Sequence, residues 1–486
     1  MTGPDNELEA PRRTRHMAWR PGSIRIRTRQ RAHTATTSPM LTQMKSLLAS
    51  LPLGRSPDSR RNLSTAIGST MLRQMLSSAL YFVALWVTTR QLGPHHNGLL
   101  VTALLLPQTL YAVLNLGLAS SHVYHMSSGT PDAAAMRRVN WILACALWGV
   151  AVLALALSSD AMIGRYLPGT SKDTALYASL LFPAMLLAAW TVSLIQGARD
   201  YATFNKTALI QPFTFCAGVL VLGATGAISV VSVLSCHILS QASLWLASEV
   251  RVRRYPAAPA GGALVLARMI GYGLRAHLSN VITFLNYRVG LYMVSLLLDP
   301  SSAGIYALSV QLAEALWLIA SAASVVVFPE SAAANGTPAA LRQMVGRIAL
   351  AVFKITLVVG MLAAALSTVL IPWAFGKDYA SAVLPFIVLL PGIITWSYMN
   401  VIANSLAGMG RQGVNIVGAT LSLVLNGVGC MLAIPAYGTW GAALAASVAF
   451  TATAAYTVFM YRRIMARRIA QEGAGAAAAP AGGEQG

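Results

Sequence analysis

Between Ser64 and Tyr461 the sequence is a succession of apolar runs, each broken by a short stretch holding Arg, Lys, Asp, Pro or Gly. A helix needs about 20 mostly apolar residues to cross a bilayer. The pattern predicts twelve such helices, near residues 65–88, 98–120, 139–157, 174–197, 207–226, 228–248, 273–298, 302–328, 346–371, 383–408, 413–434 and 438–461. The longest basic and Pro/Gly-rich break, EVRVRRYPAAPAGG, follows the sixth run and divides the chain into two six-helix halves. The halves repeat one turn: TRQLGPHHNGLL (89–100) is echoed by LLLDPSSAGIY (296–306), with Leu92, Pro94 and Gly98 recurring as Leu298, Pro300 and Gly304 at an offset of 206. Both copies join the first and second helices of a half. LIQGARDYATFN and SLAGMGRQGVN form a second echo after the fourth helix of each half. The pattern therefore predicts an all-α polytopic membrane protein. Its two six-helix bundles are parallel repeats around a central cavity, a plan that puts a substrate between them near the midplane.

Composition agrees: 56% of residues are hydrophobic and only 10% charged, with mean hydropathy +0.60. A soluble domain carries about 25% charged residues. The formal charge of +20 would suggest nucleic acid in a soluble protein, but the placement of the charges excludes that reading. Of 35 Lys and Arg, 12 precede residue 62. With the N-terminus inside, alternation puts 15 more on cytoplasmic connections and only Arg90, Arg165, Lys172 and Lys377 outside. The bias follows the positive-inside rule and predicts both termini in the cytoplasm, in a plasma (inner) membrane.

The halves are bounded as 64–250 and 273–461, joined by a cytoplasmic linker over 251–272. Residues 1–63 and 462–486 are expected to be disordered tails, the first rich in Arg, Ser, Thr and Pro. A start at Met40 or Met44, or a transit peptide, are alternatives for the first tail. Cys145, Cys216, Cys236 and Cys430 all fall in apolar runs without a CxxC spacing, and are expected to be buried thiols rather than metal ligands or disulfides. His95 and His96 are adjacent in an outer turn, a poor arrangement for one metal ion. Nothing in the sequence indicates a cofactor.

Taken together, RQLGPHHNGLL, NLGLASSHVYH, LLLDPSSAGIYALSVQLAEAL, VVVFPESA, FGKDYASAVLPFIVLLPG, LAGMGRQGVNIVGATLSLVLN and IPAYGTWGAALAAS resemble the lipid-linked oligosaccharide flippases. These are the polysaccharide-transporter branch of the multidrug/oligosaccharidyl-lipid/polysaccharide exporter superfamily. The likeness spans about residues 64–461. It implies two bundles, alternating access and a polyprenyl-diphosphate glycan as cargo. It also implies membrane lipids, a polysaccharide polymerase and export proteins as partners, and none of nucleic acid. Some relatives have fourteen spans.

An anionic head group needs a wet, cationic path through the bilayer. Arg suits this, because its planar fork matches phosphate oxygens. Four basic residues lie within the expected spans: Arg73, Arg275, Arg288 and Lys354. An intramembrane Arg costs roughly 2.5–3.5 kcal/mol on insertion scales and demands a reason. His277, Asn280, Phe284, Arg288 and Ser295 share one face of the seventh span, a polar stripe expected to line the cavity. Arg288, near mid-membrane, either meets substrate or pairs with Glu314. Arg73 either lines the cavity or snorkels to the interface, and for Arg275 and Lys354 snorkelling is the simpler reading. Glu314, with Gln311 one turn before it, serves either coupling to an ion or proton or an ion pair with an Arg. Asn400 and Asn404 either hydrogen-bond between helices or contact sugar. Two other functions compete. A cation-coupled multidrug antiporter of the same superfamily calls for buried carboxylates, and Glu314 alone lies well inside a span. A membrane-embedded saccharide polymerase or glycosyltransferase calls for a large loop or paired carboxylates, which the sequence lacks.

Overall fold

A computed structural model of the protein describes residues 57–127, 133–255, 262–333 and 337–478. The expected tail over 1–63 lies outside the described residues as far as position 56. Every regular element among the described residues is helical: α1 (Pro57–Leu114), α2 (Leu118–Ser127), α3 (Ala133–Leu157), α4 (Asp160–Tyr166), α5 (Lys172–Ser179), α6 (Leu181–Gly197), α7 (Tyr201–Ala208), α8 (Ile210–Ala224), α9 (Val230–Val252), α10 (Gly262–Leu297), α11 (Pro300–Glu314), α12 (Trp317–Ala333), α13 (Pro338–Phe375), α14 (Val383–Gly408) and α15 (Gln412–Ala478), with a 3-10 turn over Lys377–Ala382.

Among the described residues, nine helical stretches are long and apolar enough to cross a membrane. Two of these are double. α1 reverses at Gly93 (φ 67°) and α15 at Gly438 (φ 59°), left-handed backbone that glycine adopts without a Cβ penalty. Each of the twelve expected spans coincides with one helix, one arm of a helix, or two consecutive helices. The domain boundaries differ at three places. Helix α1 begins at Pro57, inside the tail expected over 1–63. Helix α10 begins at Gly262, inside the expected linker, so the connection between the halves is shorter than the sequence suggests. Helix α15 runs to Ala478, well past 461. Polar residues do not stop a helix in water, so hydropathy marks where a helix leaves lipid rather than where it ends.

In the first half α2, α3 and α9 pack on α6; in the second α11, α12, α13 and α15 pack on α14. The central helices are the buried ones. The apolar window around α6 is 67% buried and that around α14 is 56% buried, against 22% for α3 and α13. Trp190 on α6 is wholly enclosed, and Trp396 on α14 sits in an aromatic cluster with Tyr287, Trp317 and Phe450. The thiol expectation holds for Cys216, Cys236 and Cys430 but not for Cys145, which is exposed. Cys145 lies on the outer face of peripheral α3, where an apolar residue can meet lipid instead of protein.

The halves meet where α10, α11 and α13 pack on α1, and α10 on α2 and α3. At the arginine-poor end, the repeated turns interlock. A Cβ on Gly98 would lie 1.6 Å from the carbonyl oxygen of Pro300, and one on Gly304 would lie 2.1 Å from that of Pro94. The contact is reciprocal, as a two-fold relation between the copies requires. Asn97 Nδ2 donates to the Gly304 carbonyl at 3.5 Å. Beside it Trp86 Nε1 donates to the Ala374 carbonyl, and Arg90 Nη1 to the Trp373 and Ala374 carbonyls, all at 2.8 Å. Two further glycines close the other end. Cβ atoms on Gly117 and Gly273 would lie 2.3 Å from the Gly273 carbonyl oxygen and 2.4 Å from that of Leu116.

Candidate functional site

Helix α10 forms the seam between the halves, and its polar stripe faces α1. At one end of the stripe His277 Nε2 donates to the Val113 carbonyl at 2.7 Å. At the other, Ser295 Oγ and Thr102 Oγ1 share a hydrogen bond of 2.8 Å. Because the two helices run antiparallel, these bonds pin them at separated points. Between the pins they part around a cavity of about 480 Å³. Leu105, Leu106 and Thr109 of α1 line it, with Phe284, Leu285, Arg288, Val289 and Tyr292 of α10, Leu155 of α3, Ser158, three residues of α4, Leu167 and Leu423 of α15. Arg288 is the sole ionised group among these lining residues. It lies nine residues, or about 13 Å, before the end of α10, close to the middle of a bilayer core of about 30 Å.

Arg288 forms no hydrogen bond and no ion pair within 4.0 Å among the described residues, which hold just two ion pairs, both to Glu249. The expected direct pair with Glu314 is therefore not made; the two feel each other only through longer-range Coulomb attraction. Helix α10 itself separates them. Asn286, Tyr287 and Gly290 face a second, smaller space of about 20 Å³, bounded by Glu314, Tyr306, Trp317 and Asn426 among others. That volume admits about one water-sized occupant. Both polar atoms of the Asn286 side chain are buried there without a partner in the protein. Gln311 does not line this space.

The remaining expected site residues lie elsewhere. Arg73 Nε donates to Asn205 Oδ1 at 3.1 Å, and its guanidinium lies 5.6 Å from the centre of the Phe204 ring. This packs it on α7, away from the cavity. Lys354 is exposed on the outside of α13. Asn280 is exposed and outside the cavity lining, one turn beyond its pinned neighbour His277. Asn404 Nδ2 donates to Ser324 Oγ at 2.9 Å and to Asn400 Oδ1 at 3.0 Å, while Ser324 Oγ donates to Asn400 Oδ1 at 3.1 Å. This network ties α12 to α14 through both amides. The side chain of Arg275 lies outside the described residues. No group of three or more His, Cys, Asp or Glu among the described residues is placed to hold a metal. Asn286 and Asn426 are site residues that the stripe pattern passed over. Each is an amide alone in an apolar run, and only their meeting across helices gives them meaning.

A family model described as polysaccharide biosynthesis protein matches residues 87–384. No curated protein sequence matches the chain. Among solved structures, the lipid II flippase MurJ in an inward closed conformation superposes with a TM-score of 0.69 at 15% identity, over 82% of this chain and 89% of that one. An inward-facing multidrug resistance MATE family transporter of the MOP superfamily matches with a TM-score of 0.62 at 13% identity, over 82% and 98%. A MOP superfamily transporter from Pyrococcus furiosus, described as having a binding pocket of reverse polarity, matches at 0.54 and 15% identity, over 84% and 95%. At these identities the likeness is one of fold. The chain has the MurJ/MATE-like transporter fold.

Proposed function

The chain belongs to the family of polysaccharide biosynthesis proteins, and from that premise we propose that it is a flippase moving a lipid-linked saccharide, carried on a polyprenyl diphosphate, between leaflets by alternating access. The observation that carries the reading is Arg288, an unpaired cation in a mid-membrane cavity between the halves. A cationic drug would be repelled there, whereas a diphosphate gains a bidentate partner. The cavity walls are otherwise mainly apolar, so the saccharide head passes once a latch opens and water enters. The two ends supply the latches. The Gly98–Gly304 interlock closes the arginine-poor end, and Gly117–Gly273 with His277 closes the other. The arginine-rich end faces the cytoplasm by the positive-inside rule. Cargo enters there when the second latch parts and leaves when the first does.

One observation favours the second reading, a cation-coupled antiporter. Glu314 with Asn286, Tyr306 and Asn426 surrounds a space for one small occupant, as a coupling ion or proton site would. In the flippase reading the same group couples the return stroke. The two readings divide on Arg288. Arg288→Ala should abolish glycan export at normal protein levels, with lipid-linked glycan accumulating on the inner leaflet. Arg288→Lys keeps the charge, loses the fork, and should retain part of the export. Glu314→Gln should impair export less than Arg288→Ala. Full export by Arg288→Ala removes this residue from the mechanism. Resistance to cationic drugs that rises in that variant selects the antiporter.

A further inference from the structure

A second basic site lies far from the cavity. On the arginine-rich end of the first half, α3 and the end of α9 enclose a groove of about 550 Å³, formed by Arg137, Arg138, Trp141 and Ile142 on one side and Glu249 and Arg253 on the other. Trp141 lies fourteen residues, or about 20 Å along α3, from Leu155 at the Arg288 cavity. The charges in the groove do not cancel. Glu249, with its side chain 6% exposed, binds Arg137 through both Nε and Nη2 and holds Arg253 Nε at 3.5 Å. Its carboxylate is thereby committed. Arg138 is exposed and makes no hydrogen bond or ion pair among the described residues. Three arginines against one carboxylate leave two positive charges facing the groove.

The other wall is apolar and points away from the protein. Trp141 is 42% exposed and Ile142 71% exposed, on a helix whose apolar window is 22% buried. Trp141 meets Trp245 of α9 edge-on at 4.9 Å, which fixes the ring at the mouth. An exposed Trp near the end of a spanning helix belongs at the head-group level of the bilayer. A pair of cationic forks above an apolar, lipid-facing wall matches a phosphate-headed amphiphile. Basic pockets between spanning helices bind anionic head groups on the same principle.

We propose that this groove is a binding site for an anionic glycerophospholipid of the bilayer. Arg138 and Arg253 hold the head-group phosphate, and an acyl chain runs along Trp141 and Ile142. The site is distinct from the transport path, and bulk lipid rather than transported cargo fills it.

The test uses the purified full chain in phosphatidylcholine doped with phosphatidylglycerol, with retained lipid counted by native mass spectrometry. The parent should keep phosphatidylglycerol in preference to phosphatidylcholine. Arg138→Gln/Arg253→Gln should lower that preference by about fivefold for each arginine, while Arg467→Gln/Arg468→Gln, an equal charge loss at the same end, should not. Arg137 stays to neutralise Glu249, so the melting temperature should hold; should the double variant fail to fold, Arg138→Gln alone carries the test. Equal retention by parent, groove variant and control overturns the site. A third arm adds undecaprenyl phosphate to the mixture. Its preferential retention by the parent, lost in the groove variant, would overturn the occupant and make the groove a station for cargo.

Discussion

Gly98→Ala is the most direct test of the arginine-poor latch. The added Cβ would lie 1.6 Å from the carbonyl oxygen of Pro300 and 2.5 Å from its carbonyl carbon. Ordinary carbon contacts begin near 3.5 Å, so the second half must move away by about 2 Å. No rotamer relieves the clash, because both partners are backbone at the starts of helices. Overpacking of this kind costs roughly 1–3 kcal/mol. The contact exists only while the latch is closed, so the cost falls on that state and shifts the equilibrium toward opening by about 5–150-fold. The assay places one cysteine at Leu106, in the cavity wall, after Cys145, the exposed native thiol, is changed to Ser. Labelling by an impermeant thiol reagent from the arginine-poor side should quicken in Gly98→Ala and in Gly304→Ala. The double variant should gain little beyond either, since one latch opens once. Gly427→Ala is the control, for its Cβ would meet Val289 at an ordinary 3.9 Å. Unchanged labelling in folded Gly98→Ala protein would refute the latch.

Orientation is testable with His96→Cys and Arg411→Cys, both at exposed positions. In whole cells an impermeant reagent should label the first and spare the second, and the reverse pattern inverts the assigned topology. Asn404→Ala removes one interhelix hydrogen bond, to Ser324 Oγ, and one within α14, to Asn400 Oδ1. It should cost about 1–3 kcal/mol of stability by thermal melt while export per folded molecule stays near the parent value; a selective loss of export would return Asn404 to the substrate path. Asp299 caps α11, its carboxylate accepting from the Ser302 N–H at 3.1 Å and hydroxyl at 2.8 Å. Burial raises its pKa, but these bonds outweigh burial and hold the carboxyl below its usual range. The cap therefore contributes fully above about pH 4, and the contribution fades as pH falls through the lowered value. Asp299→Ala should cost about 1 kcal/mol at neutral pH, and the gap to the parent should narrow in acid melts.

The solvent and the plan were legible along the chain before any packing. Twelve apolar stretches, two halves and a turn written twice all follow from hydropathy, charge bias and an offset of 206, because lipid requires long apolar helices whatever they pack against. Arg288 was legible as well, since a charge in mid-membrane is costly enough to need a reason. Its stripe marked a real seam, where His277 and Ser295 hydrogen-bond α10 to α1. Tertiary structure decided the pairings. Helical periodicity tells which residues share a face, but not which helix covers it. So it could not separate Arg288 from Glu314 by the thickness of α10, join Asn286 to Asn426, or send Arg73 to Asn205. Nor could the repeat reveal its own use: Gly98 and Gly304 are small because each copy of the turn must admit the backbone of the other, a constraint that exists only once the two halves are brought face to face.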